Sequence, residues 1–110
     1  MKIVHILLLQ FLLSVSSYAQ SEASNVDCLL LEDENSIICK YTSDRVDHNK
    51  NITFHWIDPN GLISRTRDMI LPANHGSIYD YRYKSGRLQG TWTFKVIDGT
   101  DEYSTNFIIK

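Results

Sequence analysis

Two groups of side chains in this 110-residue chain have the type and spacing to do chemistry at a surface. The first is His55 with Arg65 and Arg67. A guanidinium presents its donors in a planar fork, so two of them beside an imidazole could hold a carboxylate, sulfate or phosphate group. The second is Tyr79, Tyr81 and Tyr83, where every other residue is a phenol. Alternate residues of a strand share a face. The three rings therefore form either a flat amphipathic platform for a sugar ring or a partner protein, or an inward layer whose hydroxyls reach the edge of the fold. A bland reading stands beside each functional one, a solvated sheet face for the first group and a core layer for the second.

Catalytic signatures are missing. His48, His55 and His75 are scattered over a loop, a strand and a second loop. No H-E-x-x-H, G-x-S-x-G, glycine-rich phosphate cradle or Cys-His pairing occurs. Asp and Glu lie mainly in turn segments, where solvation or turn capping accounts for them. The expectation is a protein that is not an enzyme and needs no cofactor or metal. The rival, from another class, is a small periplasmic metal-binding or hydrolytic protein built from the scattered histidines.

The elements that must position these residues read as short strands. Cys28 and Cys39 are the only cysteines. If residues 32–35 form a hairpin loop between strands 26–31 and 36–42, Leu31 faces Ser36 and Cys28 faces Cys39. That register makes them a non-hydrogen-bonded pair, the closer cross-strand geometry and the one that suits a disulfide. The Cys-x-x-Cys spacing of redox or metal-binding thiols is absent. Residues 43–50 are polar apart from Val46 and predict a surface loop.

Residues 52–57 alternate apolar and polar side chains and run into Asp58-Pro59-Asn60-Gly61. Pro suits the first corner of a type I turn, and Gly accepts the left-handed conformation that closes a three-residue hairpin loop. Continuing regularly from this turn, Trp56 faces Ser64 and Phe54 faces Thr66, while His55 lies beside Arg65 and Thr53 beside Arg67 on the outer face. Residues 69–76 predict a connection between sheets, 77–83 the tyrosine strand, and 84–89 a turn around Gly86. In 90–97, Trp92, Phe94 and Val96 share one face. Gly99-Thr100 fits a type II′ turn that sets Val96 against Tyr103 and Trp92 against Phe107. About seven short strands separated by turn signals predict an all-β antiparallel sandwich.

The N-terminus reads as an address label. Met1-Lys2 precedes an apolar run over 3–13, interrupted by His5 and Gln10, and Ser17-Tyr18-Ala19 places small residues where a signal peptidase cuts. The run is shorter than the ~20 residues of a membrane-spanning helix. We therefore expect a signal peptide over 1–19 and one β-sandwich domain over 20–110, with 20–25 as a polar tail. An exported chain meets an oxidising compartment in which two thiols pair.

The segments Phe54-His55-Trp56-Ile57-Asp58-Pro59-Asn60-Gly61 and Gly90-Thr91-Trp92-Thr93-Phe94-Lys95-Val96-Ile97-Asp98, with Phe107 near the end, resemble exported immunoglobulin-like and macroglobulin-like sandwich domains. The resemblance covers roughly the last sixty residues, a stretch within the range of one domain. It implies an immunoglobulin-like sandwich that binds, spaces or assembles rather than catalyses. The cysteines depart from the antibody pattern, because both precede Trp56 instead of flanking it.

Acidic residues slightly outnumber basic ones, 13 against 11, which argues against nucleic acid or an anionic membrane as partner. The expected function is an exported, periplasmic or secreted, non-enzymatic module that meets a protein or surface glycan through a sheet face or an edge strand.

Overall fold

The computed structural model describes residues 24–110. The signal peptide expected over 1–19 and the start of the polar tail lie outside the described residues. Seven strands follow in order: β1 (Asn25–Leu31), β2 (Ser36–Thr42), β3 (Lys50–Ile57), β4 (Ile63–Leu71), β5 (Ser77–Tyr83), β6 (Gly90–Asp98) and β7 (Asp101–Ile109). The one helical element among the described residues is a single 3-10 turn, Glu32–Glu34, ended by Asn35 in the left-handed conformation (φ 53°). Among the described residues no helix is long and apolar enough to cross a membrane.

The strands build two antiparallel sheets, β1-β2-β5 and β4-β3-β6-β7. The chain is thus an all-β sandwich of seven strands. An immunoglobulin constant-type sandwich keeps its fourth strand beside the fifth. Here β4 pairs with β3 instead, so β4 and β5 become edge strands of opposite sheets.

Alternation decides what lies between the sheets. Ile52, Phe54 and Trp56 of β3 and Trp92, Phe94 and Val96 of β6 point inward with Phe107 and Ile109 of β7. They meet Ile37, Cys39 and Tyr41 of β2, and all of these are buried. Trp56 meets Phe94 and Phe107 edge-on, with ring centroids 5.1 and 5.9 Å apart. Trp92 stacks on Phe107 and donates its indole N–H to the Leu88 carbonyl at 2.8 Å. Burying a large apolar side chain is worth roughly 1.5–3 kcal/mol, so this aromatic layer is the chief source of stability.

Two hairpins have the register that the sequence predicts. Cys28 lies opposite Cys39 with Cα atoms 4.0 Å apart, and the two form a disulfide. Closing so short a ring contributes about 2–3 kcal/mol in the chain-entropy account. At the other end Val96 pairs with Tyr103 and Trp92 with Phe107. Gly99 supplies the positive φ (63°) that the first corner of a type II′ turn requires.

The β3–β4 hairpin departs from the expected register. Its turn forms as predicted: Asp58 N–H donates to the Leu62 carbonyl at 2.8 Å, and Gly61 takes φ 83°. A β-bulge then follows between Trp56 and Ile57, where the pairing steps from Ile57–Ile63 to Trp56–Arg65 and Ser64 is the extra residue. Beyond it Phe54 pairs with Arg67, His55 with Thr66 and Thr53 with Asp68. A shift of one residue moves every later side chain to the other face. Arg65 and Arg67 therefore share the inner face with Trp56 and Phe54, while His55 stays outside.

The cause lies further along the strand. Residues 69–71 are not connection but the end of β4, and Leu71 is wholly buried with Met69 packed against the core. Regular pairing from the turn would put Ser64, Thr66 and Asp68 inward and leave Met69 and Leu71 in water. The bulge reconciles a turn of fixed parity with the apolar end of the strand.

Candidate functional site

His55 lies on the outer face of the four-stranded sheet, a face of mainly polar side chains with Ile70 and Ile108 exposed towards its edges. His55 is half-buried between Thr66 and Lys95. Around it polar side chains satisfy one another: Thr53 Oγ1 donates to Asp68 Oδ1 at 3.2 Å, Thr93 Oγ1 to Asn106 Oδ1 at 2.9 Å, and Lys95 pairs with Glu102 at 3.0 Å. The stripe expected from His55, Arg65 and Arg67 is not formed, because the bulge turns both arginines away from the imidazole. His48 and His75 are exposed and bond only locally, to Asp47 and to the Ala73 carbonyl. Among the described residues no three His, Cys, Asp or Glu side chains gather closely enough to hold a metal ion.

The tyrosines face outward. Tyr79, Tyr81 and Tyr83 are 61%, 54% and 59% exposed, and Tyr81 and Tyr83 meet edge-on at 6.3 Å. This excludes the inward layer that the alternation of β5 left open. Register places each ring at the end of a row across the three-stranded sheet. Leu29, Ile38 and Tyr81 form the middle row, Asp27, Lys40 and Tyr79 one neighbour, and Leu31, Ser36 and Tyr83 the other. Leu29 is 59% exposed, so the middle row presents apolar surface from edge to edge.

The other face of β5 carries Ile78, Asp80 and Arg82 inward, and at the β4–β5 edge they meet the arginines of β4. Asp80 is only 5% exposed. Its carboxylate accepts from Trp56 Nε1 at 3.0 Å and from Arg67 Nη1 at 3.1 Å, and Arg65 Nε lies 3.8 Å away. Arg82, 8% exposed, lies with its guanidinium carbon 5.4 Å from the Trp56 ring centroid and donates from Nη1 to Ser64 Oγ at 3.2 Å. The bulged serine thus feeds the cluster directly. Arg82 Nε is buried without a partner. Burial pushes the Arg82 guanidinium below the usual arginine range; Arg87 and Arg65 push the same way, and Asp80 opposes them.

An open cleft of about 300 Å³ lies here, lined by Arg65, Arg67, Arg82 and Arg87 with Tyr81 and Tyr83. Four guanidinium groups against one carboxylate leave three positive charges around it. The fold therefore brings Arg65, Arg67, Tyr81 and Tyr83 together, holds Tyr79 on the strand that carries the other two tyrosines, and leaves His55 on the outer face of the four-stranded sheet, away from both arginines.

Asp80, Arg82, Arg87 and Ser64 were not anticipated. The alternation of β5 held a signal for two of them, since any outward placing of the tyrosines forces an acid and a base inward at 80 and 82. Nothing local marks Arg87 or Ser64, whose roles arise from contacts between β4, β5 and the loop after β5. Comparison with protein-family models and with curated proteins finds no match.

Proposed function

We propose that this chain is an exported, non-enzymatic binding module that meets a partner protein with the outer face of its three-stranded sheet. The observation that carries the reading is the row Leu29–Ile38–Tyr81 flanked by Tyr79 and Tyr83. The three tyrosine rings are more than half exposed and the row is apolar across all three strands. Tyrosine gives large, rigid contact area at low entropic cost, and a contiguous exposed apolar patch marks an interaction surface. Tyrosine also stacks on sugar rings, and Asp27 and Lys40 flank the row, but its centre at Leu29 and Ile38 is apolar, which favours protein over glycan. The basic cleft beside Tyr81 and Tyr83 fits a partner whose surface is acidic at that point. Export is supported by the leader-like N-terminal sequence and by the disulfide.

Site-specific photocrosslinking in the native host tests this. A photoreactive phenylalanine analogue replaces Tyr79 or Tyr81 in one pair of variants and Thr66 or Asp68, on the outer face of the other sheet, in a second pair. The reading expects discrete protein adducts from the tyrosine positions alone. No adducts, or equal adducts from both faces, would remove it.

A further inference from the structure

The cleft at the β4–β5 edge holds more positive charge than its structural task requires. One carboxylate, Asp80, is fully used by Trp56, Arg67 and the nearby Arg65. Arg82 is left with a neutral hydroxyl, a ring face and a buried Nε that has no acceptor. Arg87 donates its Nε to the Tyr83 carbonyl, also a neutral partner. A buried charged donor without an acceptor is costly, and a device that merely fastened β4 to β5 would match each guanidinium with a carboxylate.

We propose that the cleft is an oxyanion subsite, in which Arg65, Arg82 and Arg87 hold a sulfate, phosphate or carboxylate group beside Tyr81 and Tyr83. The geometry suits it. The volume of about 300 Å³ is roughly ten times the ~30 Å³ share of one water molecule, and guanidinium forks are matched to such oxygens. An anion here adds an acceptor for the guanidinium N–H groups that face the cleft and offsets the mutual repulsion of Arg65, Arg82 and Arg87. Arg67 and Asp80 stay paired and keep the two edge strands together. The subsite deepens the binding-module reading and rests on it for its biological use, since Tyr81 and Tyr83 belong to both surfaces. Free inorganic anion and an anionic group carried by a partner share this chemistry.

The test follows arginine Nε–Hε and backbone amide resonances of the labelled full domain. Sodium sulfate, sodium phosphate, sodium acetate, methyl sulfate or methyl phosphate is added, with sodium chloride holding ionic strength constant. We expect saturable shifts at Arg82 Nε and at the Tyr81 and Tyr83 amides. Replacing the partly exposed Arg87 (Arg87→Gln) should weaken binding about tenfold, the loss of one charge-assisted contact. An unchanged amide spectrum elsewhere shows that the variant is folded. Monoesters that bind as well as the inorganic ions assign the site to a group on a partner, whereas binding of inorganic ions alone assigns it to free anion. Shifts that do not saturate, that chloride reproduces, or that survive Arg87→Gln unchanged would overturn the subsite. Tyr79 does not line the cleft, so crosslinks from position 79 that persist without any anion binding would remove the subsite and leave the binding face standing.

Discussion

Asp98 and Asp80 are built on one plan at different places between the sheets. Each is a poorly exposed carboxylate on one sheet that accepts from a side chain of the other. Asp98 accepts from Tyr41 Oη at 2.6 Å across the sandwich and from Lys50 Nζ at 2.8 Å within its own sheet. Burial of Tyr41, reinforced by its hydrogen bond to Asp98, pushes the phenol up to about 12 from an ordinary 10.0. The folded state then holds its proton more tightly than the unfolded chain. Stability from this group is complete below pH 10 and is lost as pH rises towards 12, on the order of 2 kcal/mol for a shift of that size. Denaturant midpoints measured across this range should fall faster for the wild type than for Tyr41→Phe. Parallel curves for the two proteins would show that Tyr41 does not contribute to the alkaline loss.

Between elements, the 58–61 turn and the start of β6 constrain one another. Gly90 takes φ 128°, and a Cβ added there would lie 3.0 Å from Pro59 Cγ. Gly61 also has a positive φ, 83°, but open space around it. Replacing Gly61 with Ala costs the backbone conformation alone, about 1 kcal/mol. Replacing Gly90 adds a collision with the proline ring, about 2–3 kcal/mol in all. Urea unfolding should therefore rank Gly90→Ala below Gly61→Ala, with both slopes unchanged. Equal midpoints would mean that the turn moves freely away from β6. The same hairpin carries the bulge at Ser64, and that one residue decides whether Arg65 and Arg67 face water or Asp80.

For the whole molecule, connectivity sets where the fold opens first. β2, β3 and β6 are flanked by strands on both sides, whereas β1, β5, β4 and β7 are edges. Local opening follows the least supported elements. Hydrogen exchange should be slowest at Ile37, Cys39, Phe54, Trp56, Phe94 and Val96, and markedly faster along β4 and β5 despite the ion pairs between them. Equal protection in β5 and β3 would contradict this order.

The strand pattern, the disulfide and two of the hairpin registers were legible because each follows from local rules. Side chains alternate with period two, Gly99 and Gly61 fix their turns, and a loop of four residues leaves Cys28 opposite Cys39. The β3–β4 register was not legible, because it depends on Leu71 finding the core at the far end of its strand, and no turn rule sees that far. The tyrosine face was legible as a surface of uncertain side, and the tertiary structure chose the side by giving Asp80 the donors of Trp56 and Arg67. The arginine cleft belongs to the tertiary structure alone. Arg65, Arg82 and Arg87 come from a strand of one sheet, a strand of the other and a loop, and they become neighbours only when the two sheets close on the aromatic layer.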